Sequence, residues 1–262
     1  MTTIAVLGAG SVGVYFAAHL AAVGQDVVAC VRRGFERYQV DSSEAPVEGP
    51  AHAVVDPDQI SAPVEFVLLC VKAHQTSGTA GWLARLCNAD TTVVVVQNGV
   101  EGADRAQPLV GRATVLPAVV YCGAELLEPG HIRHYARGTI FTPDEPVAHR
   151  LAALFQGSGA ELVPTAAFLE EAWRKMSWIC QTGMPMRTAI SFGEGHRPRL
   201  AASACEAAST SRVLLRTERG SGSIFRMASR IEPRMRRTAK LAKLVPRSSS
   251  KLSTAWIRPS MP

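Results

Sequence analysis

Thr3-Ile4-Ala5-Val6-Leu7-Gly8-Ala9-Gly10-Ser11-Val12-Gly13 joins a short apolar run to a glycine-spaced turn, and an alanine-rich stretch, Val14 to Val23, follows and closes on Gly24. The apolar run predicts a strand, and the alanine-rich stretch ending at glycine predicts a helix. Between a strand and a helix each glycine has its own task. Gly8 permits the tight turn, Gly10 lets the backbone approach a pyrophosphate, and Gly13 lets the helix pack close against the strand. Ala9, Ser11 and Val12 complete the turn. The helix N-terminus offers free N–H groups and the positive end of its dipole, which together make an anion site. The plainer alternative is an ordinary strand-to-helix turn.

Outward from this turn, Asp26 to Val31 predicts a second strand, which the chain leaves on Arg32-Arg33-Gly34. NAD-binding proteins usually place an Asp or Glu here to hold the ribose 2′-hydroxyl. Two guanidiniums suit a 2′-phosphate instead, because Arg presents a planar fork to phosphate oxygens, and the expected cofactor is NADPH/NADP. Solvated loop arginines are the alternative. Further strands are expected at Val64 to Val71, Thr92 to Gln97 and Thr114 to Tyr121, with a helix near Ser77 to Cys87, a hairpin over Gly130 to Phe141 and a helical pattern from Ala166 to Trp178. The alternation predicts an α/β fold, an N-terminal Rossmann-type doubly wound parallel sheet followed by a smaller, mainly α-helical domain. The break is placed near Pro164, giving domains 1–164 and 165–262.

The chain has 262 residues and is 47% hydrophobic, enough to bury a sizeable core. Its longest apolar stretches, such as Phe66 to Val71, are far shorter than a bilayer requires. Met1-Thr2-Thr3-Ile4 carries no positive segment and the glycines interrupt any signal-like run, so the expectation is a cytoplasmic protein with no membrane partner. Six cysteines lie far apart with no C-x-x-C pair, which suits neither a disulfide framework nor a zinc knuckle. His74, His131 and His134 have no metal-ligand arrangement, and no metal is expected. There is no Gly-x-Ser-x-Gly elbow, and the glycine turn lacks the Lys-Ser/Thr ending of a nucleotide-hydrolysing loop.

Charge divides the chain. After residue 190 there are 15 Arg and Lys against 4 Glu and no Asp, whereas the first 190 residues hold 13 basic and 18 acidic side chains. The basic remainder also holds 12 Ser and lacks apolar periodicity. Its densest cluster, Arg234-Met235-Arg236-Arg237-Thr238-Ala239-Lys240, has no interleaved aromatics for base stacking, which argues against a specific nucleic-acid partner.

Six motifs in order resemble the ketopantoate reductase family, the 2-dehydropantoate 2-reductases, over residues 4–176. They are Gly8-Ala9-Gly10-Ser11-Val12-Gly13, Cys30-Val31-Arg32-Arg33-Gly34, Val71-Lys72-Ala73-His74-Gln75-Thr76, Gln97-Asn98-Gly99-Val100, Pro129-Gly130-His131-Ile132 and Glu171-Ala172-Trp173-Arg174-Lys175-Met176. The resemblance implies NADPH-dependent reduction of a 2-keto acid, ketopantoate to pantoate, in pantothenate and coenzyme A biosynthesis. It implies that Arg32 holds the 2′-phosphate, that Lys72 lies near the cofactor, that Asn98 contacts nicotinamide ribose or substrate, and that Lys175 is the general acid. It leaves a homodimer open. Lys72 and Asn98 both sit at carboxyl ends of expected strands, where doubly wound sheets place ligands. A solvated lysine and a turn asparagine are their alternatives. The role of Lys175 also has a physical logic. Hydride reaching a keto carbon leaves negative charge on oxygen, and an ammonium in reach both stabilises that charge and gives up the proton. Lys72 and Lys175 are the only lysines before residue 240. Pairing of Glu170 or Glu171 with Arg174 or Lys175 along a helix is read as structural.

The resemblance breaks after this helix. Family members carry asparagines four and eight residues past the lysine, where this chain has Ile179 and Gly183. They also carry a substrate-binding Thr-Glu-Ile segment roughly eighty residues on. The nearest string here, Thr217-Glu218, is followed by Arg219-Gly220-Ser221-Gly222 and does not match. The break coincides with the change of composition, which suggests a reading-frame shift near residues 179–190 or a diverged carboxyl region. The alternative to a reductase is therefore a catalytically impaired dinucleotide-binding protein.

Overall fold

The computed structural model describes residues 3–44 and 46–181. Its first sheet joins β1 (Thr3–Leu7), β2 (Asp26–Cys30), β5 (His52–Val54), β6 (Phe66–Leu69), β7 (Thr92–Val95) and β8 (Thr114–Pro117) in the order β5-β2-β1-β6-β7-β8. Every neighbouring pair is parallel. Counted within the sheet, this is the 3-2-1-4-5-6 order of dinucleotide-binding sheets, with the order reversing beside β1.

The strands read as continuous apolar runs because both faces are covered. Successive side chains point to opposite faces, so Ile4 and Val6 join one core with Val27, Phe66, Leu68 and Val94, while Ala5 and Leu7 join another with Val28, Val67, Leu69 and Val93. The second core is closed by α2 (Ala80–Leu86) through Leu83 and Leu86, and by Ala106 at the end of α3 (Gly102–Ala106).

The first core is closed by α1 (Ser11–Ala22). This helix packs on β1 and β2 and also on the strands of a second, mixed sheet. That sheet holds β3 (Arg37–Asp41), β4 (Val47–Pro50), β9 (Val119–Glu128), β10 (His131–Pro143) and β11 (Glu161–Thr165). Caught between two sheets, α1 is buried on every side from Gly13 to Leu20, as its alanine-rich, charge-free sequence allows. α4 (Pro146–Leu154) packs on β11, and α5 (Phe168–Gln181) runs past β9 and β10.

Several expectations are corrected in detail. The single strand expected over Thr114 to Tyr121 is two strands, β8 and β9, which leave one sheet and enter the other across Ala118. Pro117, without an N–H, ends the ladder there. The expected helix near Ser77 to Cys87 is a 3-10 turn over Ala73–Thr79 followed by α2. The short hairpin or pair of strands expected over Gly130 to Phe141 is instead one strand, the thirteen-residue β10, whose antiparallel partner, the ten-residue β9, comes before it. Strands β3, β4, β5 and β11 and helices α3 and α4 were not anticipated.

Candidate active site

The glycine turn shows three different reasons for glycine. Gly8 has φ +98°, and a Cβ there would lie 2.6 Å from Val71 Cγ1 and 2.8 Å from the Val71 nitrogen. A Cβ on Gly13 would come within 2.3 Å of the Gly8 carbonyl oxygen, so α1 is pressed against the end of β1. A Cβ on Gly10 meets nothing within 4 Å. Gly10 is the N-cap of α1, and no side chain caps that helix. The turn therefore presents uncapped N–H groups beside open space, an arrangement that fits a phosphate group.

The loops at the carboxyl ends of β6 and β7 stand next to this turn. They are tied together by Gln97, the first residue of the Gln97-Asn98-Gly99-Val100 motif, to which the sequence assigned no role of its own. Its amide nitrogen donates to the Val71 carbonyl and to Thr76 Oγ1, both at 3.0 Å, and both side chains are buried. The Thr76 hydroxyl donates in turn to the Ala73 carbonyl at 2.9 Å. This buried network holds Lys72 and Asn98, each one residue from a bonded group, at the sheet's carboxyl edge. The signal for Gln97 is its polar side chain directly after Val93 to Val96.

A cavity of about 770 Å³ opens across this edge. Ser11 and Val12 of the glycine turn, Lys72, Asn98 and Lys175 all line it. Residues far apart in sequence thus meet around one space. Arg32 and Arg33 stand exposed just beyond β2, outside this cavity lining. Among the described residues neither has a salt-bridge partner.

α5 contributes one helical face, since Glu171, Arg174, Lys175 and Trp178 are spaced to lie in line along it. Arg174 bonds to Glu171. Lys175 Nζ donates to Asn98 Oδ1 at 2.7 Å and to the Val120 carbonyl of β9. It also stands 5.2 Å from the centroid of the Tyr121 ring. Burial lowers the Lys175 pKa to about 8, with the neighbouring Cys122 acting in the opposite sense. Burial, then the carboxylate of Glu171, push the Tyr121 phenol up to about 12. An ammonium held by two oxygen acceptors in this cavity, with a pKa lowered to about 8, is equipped to polarise a carbonyl and to surrender a proton.

Ile179, which stands where the resemblance places an asparagine, is 4% exposed and lines the same cavity. Gly183, Thr217 and Glu218, and the whole basic region 191–262, lie outside the described residues. Among the described residues no cluster of His, Cys, Asp or Glu is placed to hold a metal ion, and no helix is long and apolar enough to cross a membrane.

Comparison with known proteins agrees with this geometry. The model of the ketopantoate reductase PanE/ApbA family matches residues 4–145. The 2-dehydropantoate 2-reductase of Mycobacterium tuberculosis is 36% identical over 178 residues, 67% of this chain and 60% of the relative. That of Caulobacter vibrioides is 36% identical over 184 residues, 69% of this chain and 62% of the relative. A crystal structure of a PanE/ApbA family ketopantoate reductase from Ralstonia eutropha superposes with a TM-score of 0.64 at 26% identity, over 81% of this chain and 76% of that one. This chain spans about 60% of the length of the curated relatives it matches. A glycine turn, a lysine-bearing helix and a shared cavity thus go with a family match over more than half of the sequence, and the chain belongs to the ketopantoate reductase family.

Proposed function

We propose that the chain is an NADPH-dependent reductase of a 2-keto acid, with ketopantoate as substrate and pantoate as product. The observation that carries this reading is the position of Lys175 Nζ, 2.7 Å from Asn98 Oδ1 in a cavity that Ser11 and Val12 also line. The group that donates the proton and the turn suited to a dinucleotide phosphate face one space. Residues 1–164 would carry the nucleotide, and the region from 165 onward would supply the substrate side.

In this reading the N–H groups of the Gly8–Gly13 turn hold the pyrophosphate, Arg32 holds the 2′-phosphate, and Lys72 and Asn98 flank the nicotinamide end. Bound NADPH supplies a hydride. Lys175 donates a hydrogen bond to the keto oxygen as negative charge develops there, and it gives that oxygen a proton as the carbon–oxygen π bond opens. The product is a hydroxyl, and Lys175 regains its proton from solvent. Asn98 and the Val120 carbonyl keep the ammonium aimed. Their acceptor oxygens favour the charged form, partly offsetting the desolvation that makes Lys175 acidic.

Ile179 favours one rival reading, a dinucleotide-binding protein without turnover, because an apolar side chain replaces an asparagine that helps orient substrate in the family. Adding ketopantoate to the full chain with NADPH separates the two. The reductase reading expects NADPH absorbance to disappear as pantoate forms. Unchanged absorbance from a chain that still binds NADPH would establish the rival.

A further inference from the structure

The cavity contains a cation that none of these roles uses. Arg137, on β10, lines the space together with Tyr121, Ala136 and Lys175. Its backbone has φ +58°, and it is the one non-glycine residue with positive φ among the described residues. A side chain in that region is strained, and such strain persists where the surroundings impose it. Here they do. Of the three register slips between β9 and β10, two fall around Arg137, Ala136 facing Gly123 and Thr139 facing Tyr121, so the chain bulges there. On the next residue, Gly138, a Cβ would come within 2.1 Å of the Tyr15 hydroxyl, which pins the bulge against α1. The bulge re-aims one side chain, as sheet irregularities beside binding sites do.

That side chain is turned to the same ring as Lys175. Arg137 Cζ lies 5.3 Å from the Tyr121 centroid, and Lys175 Nζ lies 5.2 Å from it. The other cations of the lining are otherwise engaged or placed. Arg174 is bonded to Glu171, and Lys72 stands at the end of β6 on the side of the glycine turn. Arg137 has no ion-pair partner among the described residues. Arg137 itself is exposed, and Ala124, Trp178 and Ile179 give the same cavity apolar surface. A guanidinium and an ammonium sharing one aromatic platform match a ligand with a carboxylate next to a carbonyl, since a carboxylate accepts the two parallel N–H bonds that Arg offers.

Resting on the reductase reading above, we propose that Arg137 is the carboxylate anchor of this cavity, holding the acid group of a 2-keto acid while its keto oxygen faces Lys175. Ile179 then forms part of an apolar wall, and a strained arginine on the facing strand supplies the polar grip that the helix lacks.

The test is equilibrium binding to the full chain loaded with NADP, using ketopantoate and its uncharged primary amide as probes, for the native protein and for R137G. Glycine adopts φ +58° without strain, so the variant keeps the bulge, and its Tm should equal or exceed that of the native chain. The native protein should bind the acid about 10- to 100-fold more tightly than the amide, the worth of one charge-assisted contact. R137G should bind both alike and hold NADP as before. R137K, which keeps the charge but not the fork, should fall between. Retained preference for the acid in R137G, no preference in the native protein, or an equal loss of NADP affinity in R137G would each overturn the proposal. Because binding is read, an acid preference lost in R137G upholds the anchor even where NADPH is not consumed, an outcome that would count only against the reductase reading.

Discussion

On the proposed reading Lys175 acts as an acid, from a half-buried setting that strips it of part of the hydration an ordinary lysine enjoys. Burial brings its pKa down from 10.5 to about 8, and the consequence for rate has a definite sign. The protonated form is the acid, so kcat/KM for keto-acid reduction should be level below about pH 8 and fall tenfold per pH unit above it. K175M should lower kcat by about 10²- to 10⁴-fold, the usual contribution of a general acid, and abolish this limb of the profile while leaving NADPH affinity within a few-fold of native. The exposed Arg32 makes a separate claim about selectivity. R32A should reduce the preference for NADPH over NADH by about 10- to 100-fold, measured as the ratio of the two dissociation constants. The sequence singled out both residues, one as a scarce lysine in a helix, which the structure brings to the cavity, and the other as a basic residue where a carboxylate often stands. It did not single out Arg137, because its role follows from a register slip between two strands, which no local pattern announces. Tyr121, the ring between the two cations, was hidden for the same reason.

Among the elements, the β1–turn–α1 unit was the most legible because its chemistry is local. An apolar run, three glycines and an alanine-rich helix leave few alternatives. The two glycines inside the turn now separate in their expected effects. G13A drives a Cβ to 2.3 Å from the Gly8 carbonyl, so it should lower the Tm and weaken NADPH together. G10A points a methyl into open space, so it should leave the Tm of the nucleotide-free protein unchanged and cost at least tenfold in NADPH affinity. Thermal melts with and without NADPH read both outcomes, and equal behaviour of the two variants would count against the turn as a phosphate cradle. The second sheet was less legible. β3 and β4 have one exposed face or two, so their apolar residues are sparse, and β3 enters the sheet by pairing with β10, nearly a hundred residues later. The passage from β8 to β9 was missed because the apolar run of Thr114 to Tyr121 is unbroken except by Pro117.

For the molecule as a whole, the two sheets are coupled through the buried helix that carries the glycine turn. The Tyr15 hydroxyl donates to the Gly159 carbonyl at 2.8 Å, and its ring stacks on His134 of β10 at 4.3 Å and lies against His19 at 4.4 Å. His19 is 1% exposed. Its Nδ1 accepts from the Gly159 N–H at 3.2 Å, and its Nε2 has no partner among the described residues. Burial first, and then the nearby His134, lower its pKa from 6.5 to about 4. Between those two values the unfolded chain binds a proton that the folded chain refuses, so stability falls as pH drops through this window. Urea unfolding at pH 7 and pH 4.5 should show a loss of the order of 1 to 3 kcal/mol, and H19L should remove much of that dependence. This coupling was invisible in the sequence, where His19 is one polar residue in an alanine-rich helix.

On the proposed reading a hydride moves from a phosphorylated nicotinamide nucleotide to a carbonyl carbon while Lys175 protonates the oxygen. The most direct measurement supplies the full chain with NADPH deuterated at the transferable position and ketopantoate, then locates the label in the product. The expected result is pantoate carrying deuterium on the carbon next to the carboxylate, formed about 10²- to 10⁴-fold more slowly by K175M than by the native chain. Label that stays on the nucleotide, or labelled pantoate formed by K175M as fast as by the native chain, would contradict it.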